Sequence, residues 1–309
     1  MIYMNIMYLC YGSDCIIISM EVINMLKKNF LTVLMFQLKL RIKSDSKHDY
    51  LVADDTYFSQ LNKCIDTMYA LNPDIVIFPE MSYHEKYHEN LKNFSKNGNL
   101  IVFGSTYIGS INYTTIFHNG EFKRIQKRYA CGSEPMVRFI DKIDINTFLN
   151  QYLAEHEVHV KGNKLYILNC LEYYESAYLI VRNPNLYENL FGFIVPCSNN
   201  NPDVFIAESN AIHNHNEHIY SFVCNHVEED ISKGYGKSYI YGPIQQHEKF
   251  WLEVEGVPSC KHNSSIVTMD NSTIGYVYAK YTAGNSLSRF GRSDCYANTP
   301  QNFVFKNLV

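Results

Sequence analysis

No stretch of the chain is both long enough and free enough of charge to cross a bilayer, which takes about 20 largely uncharged residues. The most apolar N-terminal region, Cys15 to Phe36, is broken by Glu21, Lys27 and Lys28. A secretory signal is not legible either. It places positive charge before its apolar run, whereas Lys27 and Lys28 follow this one. Charge of one sign is scarce: 27 basic residues face 31 acidic ones, a net charge of −4. The basic excess of a nucleic-acid binder is therefore missing. Cysteine is sparse for a disulfide scaffold, with nine in 309 residues and an odd count. Reduced thiols and a cytoplasmic setting are the simpler expectation. Repeats, low-complexity blocks and internal linkers are also lacking. What is abundant is aromatic: 25 Tyr and 18 Phe in a chain that is 46% hydrophobic. That composition excludes a solvated, disordered chain and supplies a large core.

Apolar β-branched runs alternate with amphipathic stretches. Leu31 to Phe36 reads as a buried strand. Phe58, Leu61, Ile65, Met68 and Leu71 recur at helical spacing, with Asp55 or Thr56 as cap and Asn72-Pro73 as stop. Asp74 to Phe78 is a second strand, stopped by Pro79, so parallel neighbours are expected. A third strand runs from Asn99 to Tyr107, and Asn119-Gly120 marks a hairpin between Tyr113–His118 and Glu121–Lys127. Further strands are expected at Leu165–Asn169, Phe191–Pro196, Ile219–Asn225, Lys237–Tyr241, Ser264–Met269 and Thr273–Ala279. Helices are expected at Tyr173–Asn189, broken by Pro184, and at Asp203–His218. Residues 1–29 read as an N-terminal extension of unknown role, a short helix or a partly disordered leader. Residues 30–280 read as one α/β domain, and 281–309 as a polar C-terminal tail without regular structure.

Three residues stand at strand ends, where open α/β sheets bind ligands. Glu80 follows Phe78-Pro79, Lys127 ends the hairpin's return strand, and Cys170 follows the strand Leu165–Asn169, just before a helix. Singly, each has a bland reading: a surface Glu, an edge-strand Lys, a packed Cys. In this order they resemble the carbon–nitrogen hydrolase, or nitrilase, superfamily. Phe36-Gln37-Leu38 resembles its first strand, Ile77-Phe78-Pro79-Glu80 its glutamate motif, and Gln126-Lys127-Arg128 with Glu134 its lysine motif. Asn169-Cys170-Leu171-Glu172 resembles its nucleophile motif. Val195-Pro196-Cys197-Ser198-Asn199, the stretch Asn210 to Asn225, and Gly236-Lys237-Ser238 continue the likeness. Three positions depart from it. Tyr129-Ala130-Cys131 stands where Leu-Pro is common, Leu171 where an aromatic is frequent, and His213, His215 and His218 crowd a helix that usually carries an arginine.

The resemblance implies a four-layer α-β-β-α sandwich, a homodimer or larger assembly, and no cofactor. It implies hydrolysis of a non-peptide amide or nitrile bond in a small molecule. Cys170 is then the nucleophile that forms a thioester, Glu80 the proton shuttle, Lys127 the cation for the oxyanion, and Glu134 an aid to substrate orientation or proton transfer. Two other readings stay open: an acyltransferase using the same thioester, and a catalytically silent binding or assembly protein of this fold. His84-Glu85-Lys86-Tyr87-His88 matches the zincin pattern, but its polar flanks read as a solvated helix face, so no metal is expected there.

Overall fold

The computed structural model describes residues 6–11, 14–19, 30–44, 49–109, 111–129, 144–216, 219–229, 233–242, 253–254, 261–262, 266–282 and 300–308. In chain order the strands begin with β1 (Ile6–Tyr11), β2 (Asp14–Ser19), β3 (Phe30–Gln37), β4 (Ile42–Ser44) and β5 (Asp49–Leu51). Helix α1 (Asp55–Leu71) leads to β6 (Ile75–Glu80), and α2 (His88–Ser95) to β7 (Leu100–Ile108), β8 (Ile111–His118) and β9 (Glu121–Gln126). Next come β10 (Glu157–Val160), β11 (Asn163–Ile167), α3 (Leu171–Arg182), β12 (Leu190–Pro196), α4 (Pro202–His215), β13 (Tyr220–Cys224) and β14 (Tyr239–Tyr241). The last strands are β15 (Glu253–Val254), β16 (Lys261–His262), β17 (Ile266–Thr268), β18 (Gly275–Thr282) and β19 (Pro300–Asn307).

Two large sheets result. One runs β15-β19-β18-β3-β6-β7-β8-β9, the other β10-β11-β12-β13-β14-β17-β16. The centre of each is a strand–helix repeat with parallel pairing, β3-β6-β7 in one and β11-β12-β13 in the other. Their strands read as unbroken apolar runs because both faces are buried. In β3, Leu31, Val33 and Met35 face the opposite sheet, while Leu34 and Phe36 face the helices. The same alternation sends Ile75, Ile77, Leu100 and Val102 inward and Val76, Phe78, Ile101 and Phe103 outward. From the second sheet, Leu165, Ile167, Ile194 and Phe222 complete the central layer. Helices α1 and α2 cover the outer face of the first sheet, and α3 and α4 that of the second. The molecule is thus the α-β-β-α sandwich expected from the sequence.

Helix α1 starts one residue earlier than its sequence signal. Asp54 is the cap, accepting the Tyr57 N–H at 3.0 Å, and Asn72 closes the helix in the left-handed conformation. Strand β6 runs on through Pro79, which does not stop it. Its register against β7 shifts between Phe78 and Glu80, and a proline is tolerated where the ladder is already broken. Helix α3 ends at Arg182, just before Asn183-Pro184. Lys237, expected in a strand, has φ +55°, and β14 begins only at Tyr239.

Two expectations about the chain ends change. In the N-terminal extension, read as a short helix or a partly disordered leader, β1 and β2 pair as antiparallel strands with Cys10 opposite Cys15. The tail is not loop throughout: β19 pairs with β18 along its length and with β15, extending the first sheet.

Candidate active site

Glu80 ends β6 and is 4% exposed. Its own N–H donates to the Cys197 carbonyl at 3.4 Å, which ties it to the end of β12 in the other sheet. Its Oε1 accepts from Ser105 Oγ at 2.5 Å and lies 3.3 Å from Lys127 Nζ. The Asn169 amide is satisfied at both ends in one orientation. In it, Nδ2 donates to Glu80 Oε1 and to the Pro196 carbonyl, and Oδ1 accepts from Ser105 N and Thr114 Oγ1. A buried carboxylate persists only with such compensation.

Lys127 follows β9, and its N–H donates to the Asn112 carbonyl at 2.9 Å. Its side chain is 1% exposed. An ammonium and a carboxylate buried together stabilise each other, and removing either strands the other. Asn112 also donates to Ser105 Oγ at 2.9 Å, so the hydroxyl beside Glu80 is itself held.

Cys170 caps the start of α3 with φ +53°. Its N–H donates to the Pro196 carbonyl at 3.0 Å, while its own carbonyl accepts from Tyr173 N. The backbones of Glu80 and Cys170 therefore dock on adjacent carbonyls, those of Cys197 and Pro196. Met81 and Ser105, near the same point, also have positive φ. Non-glycine residues held in that region are strained and concentrate at functional sites. Cys64, Cys197 and Cys224 are buried, and burial pushes each of their thiols well above the usual range. For Cys197, the neighbouring Cys170 and Glu80 push further, and Lys127 opposes them. Cys170 is half-buried, unlike these three.

Gly104 shows how closely the layers approach here. A Cβ on it would lie 2.4 Å from Pro196 Cβ, 2.9 Å from Glu80 Cγ and 3.2 Å from the Asn169 amide. Only glycine lets the two sheets meet at this point.

The other motif residues knit the loops behind this centre. Gln37 donates from Nε2 to the Asp270 and Thr273 carbonyls, and its Oε1 accepts from Ser238 N, all at 2.7 Å. Asn225 accepts the Asn199 N–H and donates to the Asn199 and Gly236 carbonyls. Ser198 Oγ and His226 Nε2 are 2.8 Å apart.

Sequence reasoning passed over Glu172 as a site residue and did not single out His156. Glu172 is 1% exposed in the first turn of α3. Its Oε1 accepts the Arg128 N–H at 2.6 Å, its Oε2 accepts the Asn169 N–H at 3.1 Å, and His156 Nε2 lies 3.7 Å from Oε2. The available signal was the carboxylate two residues beyond the cysteine. His156 had none, standing in a charged stretch far from any motif.

Glu134 and His218 lie outside the described residues. The zincin pattern is otherwise engaged. His84 Nδ1 accepts the Lys86 N–H, and its ring meets that of Phe58 edge-on. His88 pairs with the Tyr83 hydroxyl at 3.1 Å, and Glu85 with Arg124 at 2.8 Å. The rings of His213 and His215 pack against Tyr241 and Tyr178. Among the described residues no group of three or more His, Cys, Asp or Glu is arranged to hold a metal. No helix of the described residues is long and apolar enough to cross a membrane.

No family model matches the chain, and no curated protein matches it. Among solved structures, it is similar to a variant of the Nesterenkonia AN1 amidase from the nitrilase superfamily, at 14% identity and a TM-score of 0.43, over 69% of this chain and 83% of that one.

Proposed function

We propose that the chain is a thiol-dependent hydrolase of non-peptide carbon–nitrogen bonds, acting on a small amide or nitrile through a Cys170 thioester. The observation that carries this reading is the buried Glu80–Lys127 pair, 3.3 Å apart, beside the strained and accessible Cys170 turn. Cys170 attacks the substrate carbon as thiolate. Glu80 takes the thiol proton, gives it to the leaving amine and then activates water. Lys127 stays cationic and holds the oxyanion. Glu134 is assigned to substrate orientation or proton transfer on the resemblance alone. The protein is read as a cytoplasmic homodimer or larger homo-oligomer that needs no cofactor.

Ammonia release across nitriles, primary amides, ureas and acyl-amino compounds tests the reaction. Release from at least one class, lost in Cys170→Ala, supports hydrolysis. Silence across the panel, with the protein folded, moves the reading to the acyltransferase or the silent fold.

A further inference from the structure

Directly behind the Glu80–Lys127 pair lies a second buried pair, and it grips the main chain on both sides of the site. Glu172 Oε1 takes the N–H of Arg128 at 2.6 Å and of Tyr129 at 3.5 Å, the two residues after Lys127. Glu172 Oε2 takes the N–H of Asn169 at 3.1 Å, the residue before Cys170. His156 backs the carboxylate. Its Nδ1 is 2.9 Å from the Tyr152 carbonyl, so the proton on Nδ1 is fixed and Nε2 faces Glu172 Oε2 at 3.7 Å. Both side chains are 1% exposed or less. We propose that His156 is a positioning residue of this site: its imidazolium holds the Glu172 carboxylate, which in turn sets the spacing between Lys127 and Cys170. The proposal rests on the reading of Glu80, Lys127 and Cys170 as the reacting group.

The charges around His156 agree with this role. Glu172 faces it from α3, and Glu155 stands beside it in sequence. From the lysine loop, Arg128 lies 4.0 Å from Glu155 and over the Tyr152 ring at 4.3 Å, and Lys127 acts on Glu172. Phe148 presents its ring at 5.3 Å. Burial pushes the imidazole down, but Glu172, the Tyr152 carbonyl and Glu155 outweigh it and raise the pKa. Burial pushes the Glu172 carboxyl up, but His156, the Arg128 N–H and Lys127 outweigh it and lower the pKa. Both shifts favour the charged forms of the pair. When His156 loses its proton, Nδ1–H stays on the Tyr152 carbonyl and Nε2 turns a lone pair to the carboxylate. Attraction becomes repulsion, and the clamp loosens.

The test compares the full-length wild type with His156→Gln and His156→Leu. It reads kcat and KM across pH on an amide the wild type turns over, and the rate at which iodoacetamide alkylates Cys170. In the wild type, kcat should fall with an alkaline limb that coincides with the imidazole titration of His156 followed by NMR. His156→Leu should lower kcat about 100-fold with little change in KM, the size expected for a misplacement of about 1 Å. His156→Gln can still donate an N–H to Glu172; it should recover most of kcat and lack that limb. Alkylation of Cys170 should slow in His156→Leu and be restored in His156→Gln. A wild-type alkaline limb in His156→Gln, or wild-type kcat and alkylation rate in a folded His156→Leu, would overturn the proposal. Failure of the underlying reading looks different: the wild type itself then releases no ammonia. The alkylation comparison, which needs no substrate, still decides the role of His156 in that case.

Discussion

Glu80 is accommodated almost out of water because three donors converge on Oε1: the Ser105 hydroxyl, the Lys127 ammonium and the Asn169 amide. Removing one partner of such a pair leaves the other uncompensated, at a cost of about 3–5 kcal/mol. Lys127→Met should therefore lower unfolding stability in urea by about that much, while the double variant with Glu80→Gln should lose less than the two single losses combined. Equal, additive losses would mean that the two side chains are not coupled. Cys170 differs from Cys64, Cys197 and Cys224 in exposure and in lying beside the turn and helix start that favour a thiolate. Limiting iodoacetamide should label Cys170 first and abolish turnover. Replacement of Cys170 by Ala should abolish turnover and leave thermal unfolding near that of the wild type, since the half-buried thiol only borders the core of the second sheet. First labelling at Cys197, or at Cys131, with full turnover in Cys170→Ala, would mean that another thiol is the nucleophile.

The elements bring these residues together by a narrow set of contacts between β6, β7 and β12. Gly104→Ala places a methyl 2.4 Å from Pro196 Cβ and 2.9 Å from Glu80 Cγ. It should lower both the melting temperature and kcat, since the strands must separate to admit it. A variant with unchanged kcat would show that the approach of β7 to β12 does not hold Glu80. The central strands were legible in sequence because they are buried on both faces and carry uninterrupted β-branched runs. The outlying strands were not. Within β19, Gln301, Asn302, Lys306 and Asn307 interrupt the apolar residues, and its pairing with β18 comes from a partner that lies across residues 283–299 in the chain. The short β10 begins with Glu157 in a charged stretch, and its strand character comes from pairing with β11. Pro79 misled for a related reason: the strand tolerates it at a register shift, and such shifts leave no mark in composition. The strand ends at which Glu80, Lys127 and Cys170 stand were legible because each closes a recognisable strand. The Glu172–His156 pair was not, since it depends on a contact between α3 and a segment of irregular helical turns.

At the scale of the whole molecule, the buried histidines work in opposite directions with pH. His226 is buried neutral, its pKa lowered from 6.5 to about 4 by desolvation. The unfolded chain then binds more protons than the folded one between those values. Stability should fall by about 3 kcal/mol as pH drops through that window. His226→Gln should flatten this acid limb in melting temperature against pH, and an unchanged limb would assign it to other groups. His156 has a raised pKa, so its contribution is full below the unfolded value and is lost as pH rises through the folded one. Glu172, with a lowered pKa, contributes above its unfolded value and loses that contribution in acid. The two contributions are both full between the ordinary values of 4.5 for Glu172 and 6.5 for His156, and each is lost beyond its own side of that window. The central claim is that Cys170 carries the substrate's acyl group as a thioester. It is tested most directly by quenching turnover in acid, with the Glu80→Gln variant alongside the wild type, and mapping peptide masses. The account predicts an acyl increment on the Cys170 peptide, accumulating in Glu80→Gln if its first step still proceeds. Steady ammonia release with Cys170 unmodified throughout would contradict it.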